Sequence, residues 1–370
     1  MKKKVLITGG AGFIGSHLAD ELILNGYEVR ALDSLSEQVH GPDATRPDYL
    51  HPDVELIVGD VRDPQAVRRA LEGVDAVFHF AAMVGVGQSM YEIKEYTDVN
   101  NIGTAVLLEA LIEKPVQKLV VASSMSIYGE GLYKTASGEL VQECERSLDD
   151  LKKQQWNLRD VVGEFAPIPT PENKKPNLSS IYALSKYDQE RLCLITGRAY
   201  NIPTTALRFF NVYGTRQALS NPYTGVLAIF ASRLLNDNAP LIFEDGLQKR
   251  DFVHVKDVAR ACRLALESSQ ADGEVINIGS GNQYTIAEIA TALAQVMGKN
   301  IEPQLTSKYR VGDIRHCFAD LGKARNLLGY EPRVRFDEGL KELSEWLEGQ
   351  IAIDIVSKAT EELASRGLTV

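Results

Sequence analysis

Short apolar runs alternate along the first two thirds of the chain with stretches whose apolar residues recur at helical spacing. Runs of about four to eight residues rich in β-branched or aromatic side chains predict buried strands. Six such runs occur: Val5–Thr8, Tyr27–Asp33, Val54–Val61, Ala76–Ala82, Lys118–Ser124 and Thr204–Phe209. Because strands that alternate with helices form sheets covered on both faces, the sequence predicts an α/β fold with a doubly wound parallel sheet.

The alternation breaks down after the fifth predicted strand. Charged and polar residues dominate from Glu130 to Ser180, which predicts an inserted surface segment with one short helix around Ser147–Trp156. Beyond the sixth strand the pattern is less regular, as expected for a smaller mixed α/β lobe. Within this part we predict a helix near Val226–Leu235 and a strand at Arg250–Val255 that returns to the main sheet.

The pattern divides the chain into three parts. Residues 1–211, including the insert 130–180, form the main domain, which residues 250–278 complete. Residues 212–249 and 279–349 form the smaller lobe, and residues 350–370 form a tail. Ile351, Ile355 and Ala359 give this tail an amphipathic helical pattern. Because its polar face is not basic, we expect the tail to lie on the body of the protein rather than on a membrane.

Composition and charge place the chain among ordinary globular proteins. Of its 370 residues, 44% are hydrophobic and 24% are charged, and the formal net charge is −10. This acidic balance argues against binding to nucleic acid or to an anionic membrane through bulk charge. The four cysteines form no paired ligand motif, and no apolar run approaches the roughly 20 residues of a membrane span. We therefore expect a cytoplasmic protein without a metal site or a disulfide framework.

A glycine-rich turn joins the first predicted strand to the first predicted helix. Gly9, Gly12 and Gly15 follow the strand directly, and the helical pattern continues from His17. Glycine permits the tight turn and lets the backbone approach a pyrophosphate at the amino-terminal end of the helix. A glycine-rich hairpin is the alternative, but the flanking strand and helix favour a dinucleotide site.

An acidic residue ends the second predicted strand. Asp33 follows Gly15 by 18 positions, where a carboxylate can accept hydrogen bonds from the adenosine ribose. Because a carboxylate repels a 2′-phosphate, Asp33 favours NAD over NADP; its alternative role is to cap a helix or turn. Asp60 could close the adenine pocket, and the small side chains of Ala81 and Ala82 leave room for a cofactor.

Tyr182 and Lys186 lie four positions apart in a helical pattern, so both can point into one site. A phenol normally keeps its proton up to about pH 10, and a nearby ammonium favours the phenolate. Such a tyrosine can act as a base near neutral pH. The alternative is that the spacing is an accident of a surface helix.

Three further charged or titratable residues are candidates. Arg250 and Arg310 could clamp a diphosphate through bidentate hydrogen bonds, or could form surface ion pairs. His79 has no acidic partner in the sequence pattern, so we expect a core or strand-end histidine rather than a catalytic one.

In combination, these motifs resemble the extended short-chain dehydrogenase/reductase family, in its nucleotide-sugar epimerase and dehydratase group. The resemblance extends to about Gly349 and rests on Thr8–Gly15, His79–Ala82, Ser123-Ser124, Tyr182 with Lys186, Phe210–Gly214 and Arg250–Val255. It implies a Rossmann-type fold, NAD as the cofactor, a nucleoside-diphosphate sugar as the substrate and a homodimer.

The resemblance also implies roles for individual residues. The implied catalytic residues are Ser124, Tyr182 and Lys186. The residues implied to bind NAD are Gly9, Gly12, Phe13, Ile14, Gly15, Asp33, Asp60, Val61, Phe80, Ala81, Ala82, Asn100, Tyr182 and Lys186. The residues implied to bind the nucleotide sugar are Val84, Ser124, Ser126, Asn211, Val226, Phe243, Gln248, Arg250 and Arg310.

The residues after Ser124 indicate which reaction of this family to expect. Dehydratases of the family carry Thr-Asp-Glu before Val-Tyr-Gly, and decarboxylases carry Glu there. This chain has Ser124–Ser126, with methionine in the middle, before Ile127–Gly129. Methionine cannot donate a proton and serine is a poor acid, so elimination lacks its acid. The neutral run resembles that of the 4-epimerases.

Two branches of the epimerases are candidates. Val84 stands where UDP-galactose 4-epimerases often have lysine, and the insert with Pro169–Glu172 resembles the dTDP-L-rhamnose 4-epimerase branch, which makes dTDP-6-deoxy-L-talose. A 6-deoxy sugar needs an apolar patch, which Val84 or Met83 would provide. We expect an NAD-dependent 4-epimerase of dTDP-L-rhamnose or of a UDP-hexose. A 4-ketoreductase of a dTDP-4-keto-6-deoxy sugar and a non-catalytic nucleotide-sugar sensing protein remain alternatives.

Overall fold

The computed structural model describes residues 2–43 and 45–369. In chain order, its strands are β1 (Lys4–Thr8), β2 (Glu28–Asp33), β3 (Glu55–Val58), β4 (Ala76–His79), β5 (Lys118–Ser124), β6 (Leu132–Lys134), β7 (Leu140–Val141), β8 (Ala166–Ile168), β9 (Thr204–Phe209), β10 (Asn211–Tyr213), β11 (Leu241–Ile242), β12 (Lys249–Arg250), β13 (Phe252–His254), β14 (Val275–Ile278), β15 (Tyr284–Thr285), β16 (Gln304–Leu305) and β17 (His316–Cys317).

The α-helices of the same residues are α1 (Phe13–Leu24), α2 (Glu37–His40), α3 (Pro64–Ala70), α4 (Val86–Ser89), α5 (Ile93–Tyr96), α6 (Gly103–Glu113), α7 (Leu148–Lys152), α8 (Ile181–Tyr200), α9 (Val226–Leu235), α10 (Val255–Glu267), α11 (Ile286–Val296), α12 (Gly322–Leu328), α13 (Phe336–Leu347) and α14 (Val356–Ser365). A π-helical turn at Thr97–Ile102 joins α5 to α6.

The central sheet has seven parallel strands in the order β14-β9-β5-β4-β1-β2-β3. The chain moves outward in one direction from β1 to β3 and in the other from β4 to β14, so a crevice forms between the carboxyl ends of β1 and β4. The parallel register brings Thr8 opposite His79 and Ser124 opposite Phe209 at this edge. The predicted doubly wound sheet is confirmed, although β3 and β4 are shorter than predicted.

Helices cover both faces of the sheet. Leu18 of α1 and Ala261 of α10 lie in the buried cluster on one face, and Leu107 of α6 and Cys193 of α8 lie in the cluster on the other. The apolar runs of the strands are therefore buried on both sides, as is typical of parallel sheets. Within the described ranges, none of the helices is long and apolar enough to cross a membrane.

The smaller lobe has its own apolar cluster, formed largely by α9, α11 and α13. The helix predicted near Val226–Leu235 is α9 and is confirmed. The strand predicted at Arg250–Val255 does not return to the main sheet: Phe252 pairs with Asn211 in a separate two-stranded sheet. The main sheet is completed instead by β14. Sequence pattern could not separate these two short buried strands, because both are apolar and neither carries a pairing signal.

The insert 130–180 lies on the surface, and buried charged residues also connect it to the smaller lobe. It contains the antiparallel strands β6, β7 and β8 and the predicted short helix, which is α7. The Glu130 carboxylate accepts the backbone N–H of Arg315 at 2.7 Å. Arg146 bridges Glu130 at 3.2 Å and Glu244 at 2.6 Å. The polar composition that predicted a surface segment therefore includes residues of a buried ion-pair network.

The tail lies on the body of the protein as predicted, but the predicted helical face is wrong at Ile351 and Ile355, which are exposed and precede α14. Ala359 and Leu363 of α14 are buried. Asp354 forms an ion pair with Arg233 at 3.2 Å, and Leu368 O accepts the backbone N–H of Val311 at 2.9 Å. These contacts hold the tail against the smaller lobe on both sides of α14.

Candidate active site

A single cavity of about 910 Å³ runs along the carboxyl edge of the sheet and into the smaller lobe. Every residue implied by the resemblance to bind cofactor or substrate lines this cavity, except Asn100. The glycine turn and Asp33 lie towards one end, on β1 and β2, while Ser124 and Tyr182 lie where β5 and α8 meet the lobe. The fold therefore brings residues far apart in sequence into one site.

The glycine turn has the geometry of a phosphate cradle. Gly9 has φ of +70°, which favours glycine, and a Cβ on Gly15 would lie 2.3 Å from Gly9 O. Gly12 has only Gly9 O, at 3.4 Å, near its Cβ position. Ser16 N donates to Gly12 O, so the N–H groups of α1 before Ser16 have no acceptor within the helix. These groups at a helix amino terminus fit the pyrophosphate of a dinucleotide.

Asp33 both caps the glycine turn and faces the cavity. Its Oδ2 accepts the N–H of Ala11 at 2.9 Å, and its Oδ1 accepts the N–H of Leu35 at 3.0 Å. A carboxylate has about four lone-pair positions, so two hydrogen bonds leave capacity for ribose hydroxyls. The capping and ribose-binding roles, which sequence alone set against each other, are therefore compatible.

Asp60 and Val61, which the resemblance implies to flank the adenine, line the cavity wall. Arg62 donates to both oxygens of Asp60, and this pairing holds the pKa of the carboxyl group below its usual range. Asp60 thus carries its charge at neutral pH, but much of its hydrogen-bonding capacity is directed to Arg62.

Tyr182 lies in the first turn of α8. The helix begins after Ser180, whose hydroxyl accepts the N–H of Ala183 at 3.1 Å. Tyr182 N donates to the hydroxyl of Ser89 at 3.0 Å, which fixes the start of the helix against α4. Burial raises the pKa of the Tyr182 phenol, while the neighbouring Ser124 side chain lowers it.

The pKa of Tyr182 does not show the predicted effect of a nearby Lys186 ammonium that favours the phenolate, because burial raises this pKa. The Lys186 Nζ donates to Gln189 Oε1 at 2.7 Å, and burial of the phenol outweighs other influences on Tyr182. Burial also lowers the pKa of Lys186, to about 8. Spacing on a helix established that both side chains reach one site, but not how strongly each is desolvated.

A series of buried, hydrogen-bonded side chains extends from Lys186. Gln189 Nε2 donates to Thr104 Oγ1 at 2.9 Å, and His79 lies 2.8 Å from both Thr104 Oγ1 and Thr8 Oγ1. Burial, followed by the charge of Lys186, lowers the pKa of His79 to about 3, so this histidine is neutral. The interpretation of His79 as a core residue is confirmed. Sequence reasoning missed Gln189 and Thr104, because the residues of this network lie on four different elements, β1, β4, α6 and α8.

Ser124 is oriented by the residue two positions later. Its Oγ accepts hydrogen bonds from the backbone N–H and the hydroxyl of Ser126, at 3.1 and 2.9 Å. Because both lone pairs of Ser124 Oγ accept hydrogen bonds from Ser126, the O–H of Ser124 remains free to donate to an oxygen atom of another group. This arrangement agrees with its lowering effect on the pKa of Tyr182.

Asn100 does not line the cavity. It is fully buried, its Oδ1 accepts the N–H of Met83 at 2.7 Å, and its Nδ2 donates to Ser185 Oγ at 2.9 Å. In this structure Asn100 therefore holds the loop after β4 against α8. We assign it a positioning role in place of the implied cofactor contact.

The two predicted arginines differ in their surroundings. Arg310 forms an ion pair with Asp313 at 2.8 Å and lies over the Phe243 ring. Arg250 donates to the backbone carbonyls of Lys249 and Arg315, both at 2.9 Å. Each guanidinium has five N–H donors, so both retain donors for a diphosphate.

Two predicted substrate residues present unpaired acceptors. Among the described residues, Asn211 Oδ1 and Gln248 Oε1 are buried and have no hydrogen-bond donor. Gln248 Nε2 donates to Phe243 O at 2.8 Å, which fixes the direction of its side chain. Because buried polar atoms normally have partners, these two oxygens fit donors supplied by a ligand.

Comparison with known proteins identifies the family. Residues 5–145 and 159–279 match the model of the NAD dependent epimerase/dehydratase family. This chain belongs to that family. The cofactor of the family is NAD, and the glycine turn, the free helix N–H groups and Asp33 fit such a cofactor, so the prediction of NAD is confirmed.

Individual relatives resemble the chain over nearly its full length. The dTDP-L-rhamnose 4-epimerase of Burkholderia thailandensis is 34% identical over 94% of this chain and 96% of that protein. The crystal structure of UDP-glucose 4-epimerase from Thermotoga maritima with UDP-glucose gives a TM-score of 0.76 and 33% identity, covering 93% of this chain and 98% of that one. The Thermus thermophilus UDP-glucose 4-epimerase complex with NAD gives 0.74 and 32%, covering 94% and 100%. The prediction of an NAD-dependent nucleotide-sugar epimerase is confirmed at the level of the family.

Proposed function

We propose that the protein is an NAD-dependent 4-epimerase that converts dTDP-L-rhamnose to dTDP-6-deoxy-L-talose, or that acts instead on a UDP-hexose. One observation carries the proposal: Ser124 and Tyr182 line the cavity beside Met125 and Ser126, and neither of these last two residues is an acid. Elimination and decarboxylation chemistry would need a proton donor that this stretch does not contain. Inversion at C4 needs only a base, its supporting donors and the cofactor.

The roles of the three catalytic residues follow from their surroundings. The Tyr182 phenolate takes the proton of the sugar 4-hydroxyl, and the Ser124 O–H donates to the oxygen that carries the developing charge. Lys186 lines the same cavity; burial lowers its pKa to about 8, so its ammonium still carries a positive charge at neutral pH. NAD held by the glycine turn and Asp33 would supply the hydride acceptor for C4 and the hydride donor for the opposite face of the 4-keto sugar.

The nucleotide must stay bound while the sugar turns. Asn211 Oδ1 and Gln248 Oε1 offer buried acceptors to the nucleotide, and Arg250 and Arg310 offer N–H donors to its diphosphate. Val84, Val226 and Phe243 line the remaining wall with apolar groups. The exposed side chain of Val84 faces the cavity and suits the methyl group of a 6-deoxy sugar.

The test is to incubate the purified protein, without added cofactor, with dTDP-L-rhamnose, UDP-glucose and UDP-N-acetylglucosamine separately. The sugar protons are followed by NMR, and NADH is followed by absorbance. We expect inversion at C4 of dTDP-L-rhamnose without net production of NADH. Consumption of added NADH on a 4-keto sugar, without inversion, would indicate a reductase instead. Bound NAD without either activity would indicate a sensing protein.

We also propose that the protein is a homodimer. Leu184, Leu192 and Ile195 are partly exposed on α8, a surface that a second copy of the chain could cover. Light scattering during size-exclusion chromatography should give twice the chain mass of 40.8 kDa. A mass equal to one chain at micromolar concentration would contradict the dimer.

A further inference from the structure

The carboxy-terminal helix α14 forms part of the cavity wall. Four of its residues line the cavity: Val356, Ala359, Thr360 and Leu363. Their spacing of three, four and seven positions places them on one face of the helix. This segment lies outside the residues matched to the family, which end at 279.

The wall stands at the catalytic end of the cavity. A Cβ placed on Gly87 would lie 3.3 Å from Leu363 Cδ1, so the helix touches the turn formed by α4. Two residues further along this turn, Ser89 accepts the N–H of Tyr182. Leu363 is thus separated from the first turn of the catalytic helix by one layer of residues, α4. Under the proposed function the C4 hydroxyl of the sugar must reach Tyr182, and α4 contacts both the first turn of α8 and α14.

Contacts of the residues that follow α14 hold the helix in place. Leu368 O accepts the N–H of Val311, and Thr369 forms an antiparallel bridge with Arg310, which also lines the cavity. The Arg366 guanidinium lies 4.4 Å from the centroid of the Tyr91 ring. The tail is therefore fastened to the arginine loop of the lobe and to the segment that follows α4.

The face that α14 turns to the cavity carries no charge. Its charged residues Lys358 and Glu361 are exposed to solvent, and Glu362 pairs with Arg366. An ionised carboxylate placed against an uncharged, mostly apolar wall would lose hydration without gaining a partner. A methyl or hydroxymethyl group would meet no such penalty.

We propose that α14 is a specificity wall for the substituent at C6 of the sugar, with Leu363 and Thr360 favouring a neutral substituent over a carboxylate. The inference rests on the proposed 4-epimerase function, which places the sugar at Tyr182. It assigns a substrate-selecting role to a segment that sequence analysis treated only as a tail packed on the body.

The test compares kcat/KM of the full-length wild type, Leu363→Ser and Thr360→Lys for three nucleotide sugars. These are dTDP-L-rhamnose, UDP-glucose and UDP-glucuronate, which carry a methyl, a hydroxymethyl and a carboxylate group. For Leu363→Ser we expect a loss of about 10-fold on dTDP-L-rhamnose and a smaller loss on UDP-glucose. For Thr360→Lys we expect the UDP-glucuronate to UDP-glucose ratio to rise about 10-fold.

Glu361→Gln is the matched control, because Glu361 lies on the exposed face of the same helix. It should leave all three values unchanged, and retained NAD with a cooperative thermal unfolding transition should show that each variant folds. If both cavity-facing variants change all three sugars by one common factor, α14 has only a structural role and the inference is overturned. If the wild type inverts none of the sugars, the proposed function fails and the inference with it. If the wild type inverts UDP-glucose but not dTDP-L-rhamnose, only the assignment of dTDP-L-rhamnose as substrate fails. The effect of Thr360→Lys on the ratio of UDP-glucuronate to UDP-glucose activity would then decide the inference.

Discussion

Tyr182 and Lys186 show how burial governs the candidate base. Burial raises the pKa of the phenol and lowers that of the ammonium, so the same desolvation discourages charge on both groups. Ser124 opposes this on Tyr182 by its hydroxyl. Formation of the phenolate therefore depends on the hydrogen-bond donors and charges that surround it. Removing any one of them should change the rate of the reaction.

Replacing Tyr182 by phenylalanine removes the proposed base and leaves the ring in place. We expect Tyr182→Phe to lower kcat by about 10²–10⁴-fold, the usual contribution of a positioned base, without loss of bound NAD. Steady-state rates of C4 inversion and the absorbance of bound cofactor are the measurements. Tyr187→Phe, the same change five residues further along α8 and outside the cavity, is the control. Equal activities of the two variants would remove Tyr182 from the mechanism.

Among individual residues, the sequence predicted those whose spacing in a motif has a physical explanation. Gly15, Asp33 and Tyr182 lie where the glycine turn, strand end and helix face required. Gln189 could not be predicted, because its partners Lys186, Thr104 and His79 come from α8, α6 and β4. Only the folded chain brings such a network together.

The insert and the lobe are joined by buried charges. Arg315 is almost fully buried and donates to Glu244 at 3.0 Å, Asp245 at 2.6 Å and Asn157 at 2.8 Å. These partners belong to the lobe and to the insert. Removing one side of a buried pair leaves the other side desolvated and unpaired, which costs far more than losing a surface pair.

We therefore expect Arg315→Ala to lower the free energy of unfolding by about 3–5 kcal/mol. Urea unfolding monitored by circular dichroism measures this change. Arg68→Ala breaks the exposed pair with Glu113 and should change stability by less than about 1 kcal/mol. Similar effects of the two substitutions would show that the network does not hold the insert to the lobe.

The sequence predicted the helices and strands whose hydrophobic periodicity is strong. It did not predict which sheet a short strand joins, because that depends on the strand with which it pairs. Strand β9 and helix α9 lie where their patterns placed them. Strand β13 was assigned to the wrong sheet, because a three-residue apolar strand does not specify its neighbour. The tail packs on the body as predicted, but its buried face is formed by Ala359 and Leu363 of α14 and does not include Ile351 or Ile355.

Three buried histidines couple the stability of the whole molecule to pH. Burial lowers the pKa of His17 to about 4 and those of His79 and His316 to about 3. These histidines stay neutral in the folded protein but bind protons below about pH 6.5 when it unfolds. The free energy of unfolding should therefore fall as pH is lowered through 6.5, by about 2 kcal/mol for each histidine at pH 5.

The variant His79→Gln isolates one of these contributions, since glutamine does not titrate. At pH 7.5 we expect the variant to be less stable than the wild type. At pH 5 the difference should narrow by about 2 kcal/mol, because only the wild type loses the His79 contribution. Urea unfolding of both proteins at the two pH values measures the change. A difference that stays constant with pH would mean that His79 is not neutral in the folded state.

The central claim is that a hydride leaves C4 of the sugar and returns to the opposite face within one site. The most direct measurement is the fate of deuterium at C4 of dTDP-L-rhamnose, or of UDP-glucose if that is the sugar inverted, in ordinary water without added cofactor. The account predicts that the inverted product keeps deuterium at C4, as seen by NMR. An inverted product with protium at C4 would contradict it, because exchange with solvent cannot occur in a direct hydride return.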